Sequence, residues 1–139
     1  MRLPFLELPG EQGLLLCPVV PVQLEDLGEL PLYCLVDTGA VDNRLGAEVA
    51  EAAGISLDPA LAQDEVVVGG VRTIGRCVRV ELTVGSHRFE APIWFCDPWP
   101  FPFGLLGQEG FLRFFRVTIC AAEGWLECAP EPFRGLSGT

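Results

Sequence analysis

A chain of 139 residues, half of them hydrophobic, is long enough for one domain with an apolar core and too short for two. The formal net charge of −10 disfavours nucleic acid and anionic membrane surfaces as partners, because both require a basic face. All nine basic side chains are Arg, so a Walker-type phosphate loop, which needs a Lys, is excluded.

Residues 1–13 read as an N-terminal segment. Pro4 and Glu7 interrupt the smooth apolar run that a signal peptide would require. The longest apolar stretch, residues 14–22, is too short to cross a bilayer and contains Pro18 and Pro21. A cytoplasmic protein is therefore expected. The missing Lys, beside abundant Ala, Gly, Leu and Pro, points to a GC-rich bacterial genome.

The domain itself is expected over residues 14–128. A strand over 14–23, an acidic turn at 25–29 and a second strand over 32–36 lead directly into Asp37-Thr38-Gly39-Ala40. A short helix is predicted at about 46–53, with Gly54 as its stop. Residues 65–68 form a strand that ends at Gly69-Gly70, a hairpin tip. A longer strand over 77–84 turns at Gly85-Ser86-His87-Arg88 and returns over 89–95. An aromatic and proline-rich loop spans 97–103, and Leu105-Leu106-Gly107 opens a short helical segment. Strands at 117–120 and 125–128 make a last hairpin, and residues 129–139 read as a flexible tail rich in Pro, Gly and Ser. The fold class is mainly β: one closed or folded sheet with one or two short helices.

Six cysteines, at 17, 34, 77, 96, 120 and 128, lack the close spacing of a zinc site, and His87 is the single histidine. Most of them lie in apolar strand-like runs and are expected as reduced core thiols. Cys120 and Cys128 flank the last hairpin and are the pair best placed to face each other. No metal or cofactor is expected. His87 reads as a solvated turn residue. No Gly-x-Ser-x-Gly occurs, and Ser56, Ser86 and Ser137 sit in loop-like contexts, which speaks against a serine hydrolase. A cysteine nucleophile would have to be activated by His87, and nothing in the spacing supports that.

The informative feature is Asp37-Thr38-Gly39-Ala40, where an apolar strand delivers a carboxylate into a tight turn. Alone it is an ordinary turn sequence. Followed by a Gly-tipped hairpin and then by Leu105-Leu106-Gly107, it resembles the retropepsin-like aspartic proteases over roughly residues 14–128. That resemblance implies Asp37 as the catalytic carboxylate, with Thr38 locking two active-site loops together, Gly39 admitting substrate to the backbone, and Ala40 completing the loop. Gly69, Gly70 and Val71 would form a flap tip over the substrate, and Phe103 and Leu105 would line its side-chain pockets.

Peptide hydrolysis by this route needs two carboxylates sharing one proton. The chain holds one such motif, since Asp26, Asp42, Asp58, Asp64 and Asp97 lack an apolar-Asp-small-Gly setting. A two-fold homodimer that supplies Asp37 twice is the simplest source of the second. The expected function is thus a homodimeric aspartic endopeptidase acting on peptides or proteins. The alternative is a catalytically silent dimer of the same fold that binds or scaffolds peptides, and a further one is a protease restricted to one dedicated partner.

Two positions depart from the retroviral pattern, where an acidic residue after the Asp-Thr-Gly-Ala pairs with an Arg after the late Gly. Here they are Val41 and Gln108, and Asp42 and Arg44 stand as substitutes for part of that brace. Ala40 offers no hydroxyl to an ionised carboxylate, so a mildly acidic optimum, about pH 5 to 6, is expected. The apolar loop 94–103 is read as a wall of the substrate groove, favouring large hydrophobic side chains beside the cut bond. Arg72, Arg76 and Arg79 read as a solvated face.

Overall fold

Apolar and polar residues alternate over 78–97, and this pattern folds into two long antiparallel strands that carry the centre of the core. The computed structural model describes residues 1–10 and 12–132, with Asp26 by its backbone alone. In chain order the strands are β1 (Arg2–Pro4), β2 (Leu6–Gly10), β3 (Gly13–Cys17), β4 (Val19–Leu24), β5 (Pro31–Val36) and β6 (Asn43–Gly46). After helix α1 (Ala47–Ala53) come β7 (Gln63–Val68), β8 (Val71–Val84), β9 (His87–Asp97) and β10 (Gly104–Leu106). A π-helical turn, Gln108–Leu112, precedes β11 (Phe115–Cys120) and β12 (Trp125–Pro130).

The main sheet runs β4-β5-β10-β6-β9-β8-β7, and β4 also pairs with β8 through Gln23 and Thr83 and through Leu24 and Leu82. Six strands thus close into a barrel without free edges, and β7 stands outside the ring as the partner of the far half of β8. Val80, Leu82 and Val84 of β8 and Phe89, Ala91, Ile93 and Phe95 of β9 point inward at period two. Phe111, the largest side chain of the π turn, is fully buried beneath them and stacks on Phe115 at 4.9 Å. Helix α1 ends where Gly54 takes the left-handed conformation (φ 70°) and donates its N–H to Ala50 and Glu51, as its sequence predicts.

Several local expectations change. The strand expected over 14–23 is two strands, because Pro18 has no N–H to continue the ladder. The N-terminal segment carries two strands: β1 adds to β12 in a sheet ordered β1-β12-β11, and β2 forms a hairpin with β3. The Met1 ammonium donates to the Cys128 carbonyl at 3.0 Å and Phe5 N–H to the Gly124 carbonyl at 2.8 Å. Cys120 and Cys128 do not face each other. In the β11–β12 register Cys120 lies opposite Trp125 and Cys128 opposite Val117, and both thiols are free. β12 runs to Pro130, past the start expected for the tail, and residues 133–139 of that tail lie outside the described ones.

His87 is not a solvated turn residue either. It opens β9 half-buried, stacked on Phe89 and edge-on to Phe115. Of the three arginines read as a solvated face, Arg72 and Arg79 pair with Glu65 and Glu90 at the surface. Arg76 is half-buried and ties the start of β7 to the preceding loop, donating to Gln63 Oε1 at 2.7 Å and to the Pro59 carbonyl at 3.2 Å. Among the described residues, no helix is long and apolar enough to cross a membrane.

Candidate active site

The site grows from the way β10 threads between β5 and β6. It runs parallel to β5, with Gly104, Leu105 and Leu106 opposite Cys34, Leu35 and Val36, and antiparallel to β6, with Leu105 opposite Arg44. The loop 37–42 must therefore arch over the end of β10 to connect its two neighbours. Gly104 makes this threading possible, since a Cβ there would meet Cys34 Sγ at 2.9 Å and the Arg44 carbonyl at 3.2 Å.

Backbone hydrogen bonds then lock loop 37–42 to the turn after β10. Asp37 N–H donates to Leu106 O (3.0 Å), Gln108 N–H to Ala40 O (3.0 Å) and Glu109 N–H to Val41 O (2.8 Å). Gly107 sits so close beneath the loop that a Cβ would lie 2.6 Å from the Asp42 carbonyl and 2.8 Å from that of Ala40. Asn43, 1 % exposed, completes the lock: its Oδ1 accepts from Gly107 N–H at 3.0 Å and its Nδ2 donates to the Gly110 carbonyl at 2.9 Å. Both polar ends of the buried amide are satisfied, as burial demands.

Within this frame Asp37 is half-buried. Its Oδ1 accepts the Gly39 N–H at 2.9 Å, and its backbone carbonyl accepts from Ala40 N–H at 3.1 Å, which holds the carboxylate upright on a tight turn. A cleft of about 630 Å³ opens beside it, lined by Asp37, Gly39, Ala40, Val41 and Asp42 below and by Val66, Val67, Val68 and Gly69 above. Leu105, Arg44 and Asp64 close its inner end.

The upper wall is the β7–β8 hairpin, turned by Gly69 (φ 56°) and Gly70 (φ 76°), the left-handed pair that a two-residue hairpin turn of this twist requires. Its tip rests on the aromatic loop, where a Cβ on Gly69 would lie 2.8 Å from the Phe101 ring. The loop is held by its own contacts: Phe101 stacks on Phe103 at 4.8 Å and Trp99 Nε1 donates to Phe103 O at 2.9 Å.

The residues singled out in the sequence are only partly brought together. Asp37, Gly39, Ala40, Gly69 and Leu105 share the cleft. Gly70 and Val71 complete the tip without lining it. Phe103 faces a smaller cavity beside Tyr33, Leu45 and Trp99, and Thr38 faces a separate depression with Gln108, Leu112 and Arg113. Gln108 Nε2 donates to the Thr38 carbonyl at 2.9 Å, so this side chain still braces the loop in the position where the retroviral pattern has Arg.

An ion pair also lines the Asp37 cleft. The Arg44 guanidinium pairs through both terminal nitrogens with Asp64 (Nη1–Oδ1 3.2 Å, Nη2–Oδ2 2.5 Å) and lies 3.8 Å from Asp42. Burial works against the Arg44 charge, but the hydrogen bonds to Asp64 and Cys96 outweigh it and push its pKa above the usual value. Asn43 and Asp64 escaped the sequence reading. Neither carried a local signal: Asn43 stands beside the charged Arg44 in β6, and Asp64 lies in the polar start of β7. Among the described residues no group of three or more His, Cys, Asp or Glu is arranged to hold a metal ion.

A closed six-stranded barrel with one Asp-Thr-Gly loop braced from beneath and covered by a glycine-tipped hairpin is the architecture of a single acid-protease lobe. The comparison with protein families agrees: residues 20–109 match the aspartyl protease family model, and the chain belongs to that family, in its retropepsin-type branch. No individual curated protein matches it.

Proposed function

We propose that the protein is a homodimeric aspartic endopeptidase whose two Asp37 carboxylates meet across a two-fold axis and activate one water molecule. The observation that carries this reading is Asp37 itself, fixed on its turn at the floor of a covered cleft, in a chain with only one such motif. In the working pair one carboxylate takes a proton from water as its oxygen attacks the peptide carbonyl. The other, protonated, gives its proton to the carbonyl oxygen. The tetrahedral intermediate then collapses as the leaving nitrogen is protonated. Val66, Val68 and Leu105 along the cleft favour substrates with apolar side chains beside the cut bond. The aromatic loop acts on this groove indirectly, by supporting the flap tip at Gly69.

The hairpin β2–β3 supports the dimer. It leaves the barrel at Pro18, whose carbonyl accepts the Val36 N–H at 3.0 Å, one residue before Asp37. Leu14, Leu15 and Leu16 on it are 59–65 % exposed, and a second copy brought to Asp37 would approach this end of the barrel. A silent binding dimer is disfavoured because Gln108 stands in for the missing charged brace, donating to the Thr38 carbonyl at 2.9 Å.

The test is cleavage of a diverse peptide mixture from pH 4 to 7 by wild type and by Asp37→Asn at equal dimer content. Cleavage by wild type alone is expected, with an optimum at about pH 5 to 6. Equal cleavage by both proteins would remove Asp37 from the mechanism, and inertness of a folded wild-type dimer would favour the silent or dedicated-partner reading.

A further inference from the structure

Arg44 is the one buried charged residue among the described residues, 8 % exposed, and the hydrolytic chemistry does not require it. Its path is unusual. Arg44 stands on β6, and between β6 and β7 lie β9 and β8. To reach Asp64 on β7 its guanidinium passes Cys96 on β9, with Nη1 3.5 Å from Sγ, and then crosses β8 at Gly75. Gly75 is the register partner of both Asp64 and Cys96. A Cβ there would lie 2.6 Å from Asp64 Oδ1, 3.0 Å from Arg44 Nη1 and 3.3 Å from Cys96 Sγ. Gly75 does not have a positive φ, so this position uses the absence of a side chain and not backbone freedom. The gap in β8 is the passage through which the ion pair forms.

Asp64 is the second residue of β7, at the root of the hairpin, and Arg76 holds the same root through Gln63 and the Pro59 carbonyl. Beyond the root, residues 65–73 have β7–β8 pairing and the contact of Gly69 with Phe101 to hold them, and pairing of β8 with β9 begins at Ile74. We propose that Arg44 is a positioning residue that pins the base of the flap: through the gap at Gly75 it ties the β7–β8 root to the strand leaving the Asp37 loop, so that the flap closes over the cleft from a fixed hinge. The inference rests on the protease reading for its kinetic consequence and on the ion pair alone for its structural one. A fixed base leaves less freedom to be lost when substrate orders the flap, so the latch should act mainly on substrate binding.

Gly75→Ala fills the passage while leaving both charges in the chain, and Asp64→Asn removes the bidentate acceptor. Two measurements decide. In hydrogen exchange followed by mass spectrometry on the full chain, both variants should exchange residues 63–76 about tenfold faster, with β11–β12 unchanged. In peptide cleavage, KM should rise roughly tenfold with kcat within about threefold of wild type. Unchanged exchange over 63–76 in folded variants would overturn the latch. So would a loss confined to kcat, which would show that the pair serves the Asp37 loop instead. If neither variant folds, Arg44→Lys, which keeps the charge but lacks the planar fork, replaces them under the same criteria. Should the wild type prove inert toward peptides, the reading as a general endopeptidase fails while the exchange experiment still decides the latch.

Discussion

Replacing Asn43 by Leu, which has the same branched four-atom side chain but no hydrogen-bonding group, tests whether the lock beneath the Asp37 loop is polar or merely well packed. The substitution leaves the Gly107 N–H and the Gly110 carbonyl without the partners they now have at 3.0 and 2.9 Å. Each buried group so orphaned costs about 1–3 kcal/mol, giving about 2–6 kcal/mol in total. That is a large part of the roughly 5–15 kcal/mol that holds a domain of this size folded. Asn43→Asp divides the effect: an acceptor for Gly107 remains, the donor to Gly110 is lost, and a carboxylate is placed at a position 1 % exposed. Urea unfolding followed by circular dichroism, at fixed protein concentration so that any dimer contributes equally, gives the midpoints. Both variants should unfold at clearly lower urea, and activity should fall even where the chain is still folded, because Leu106 and Gln108, on either side of Gly107, share backbone bonds with the Asp37 loop. A loss below about 1 kcal/mol for Asn43→Leu would refute the polar lock, since packing alone would then suffice.

Thr73 Oγ1 is fully buried without a hydrogen-bond partner among the described residues, so Thr73→Val should raise the unfolding midpoint by the equivalent of about 1 kcal/mol, and a lowered midpoint would reveal a partner for that hydroxyl. Burial pushes the Cys34 thiol up to about 12, and the folded state therefore holds this proton more tightly than the unfolded chain. Stability from this group is complete below about pH 9 and should be lost between pH 9 and 12, and iodoacetamide at pH 8 should spare Cys34 and Cys96 in the native protein. Rapid native alkylation of both would contradict their burial. If the proposed dimer buries the β2–β3 leucines, Leu14→Glu with Leu16→Glu should weaken self-association at least tenfold by sedimentation, because each Leu so buried contributes about 1.5–3 kcal/mol; unchanged self-association would refute this interface.

The protease reading was legible because its signals are local. An apolar strand running into Asp37-Thr38-Gly39-Ala40 names its turn, and Gly69-Gly70 announces a tip whose φ values only glycine takes up readily. Leu105-Leu106-Gly107 was visible as a motif, though nothing in it told that β10 would pass between β5 and β6. The misplaced elements have equally local causes. Pro18 split a strand that hydrophobicity alone drew as continuous, and one hairpin register moved Cys120 away from Cys128.

Composition and order of motifs by themselves determined a mainly β chain with one acid-protease loop, because strand period, turn glycines and the Asp-bearing turn are written in neighbouring residues. Only the tertiary structure decided what surrounds that loop. Asn43 meets Gly107 and Gly110 more than sixty positions away, and Arg44 finds Asp64 through the space Gly75 leaves in a strand between them. Such partners are fixed by which strands lie side by side and by which side chains are missing at the crossing. Those are properties of the closed barrel, and no window along the sequence contains them.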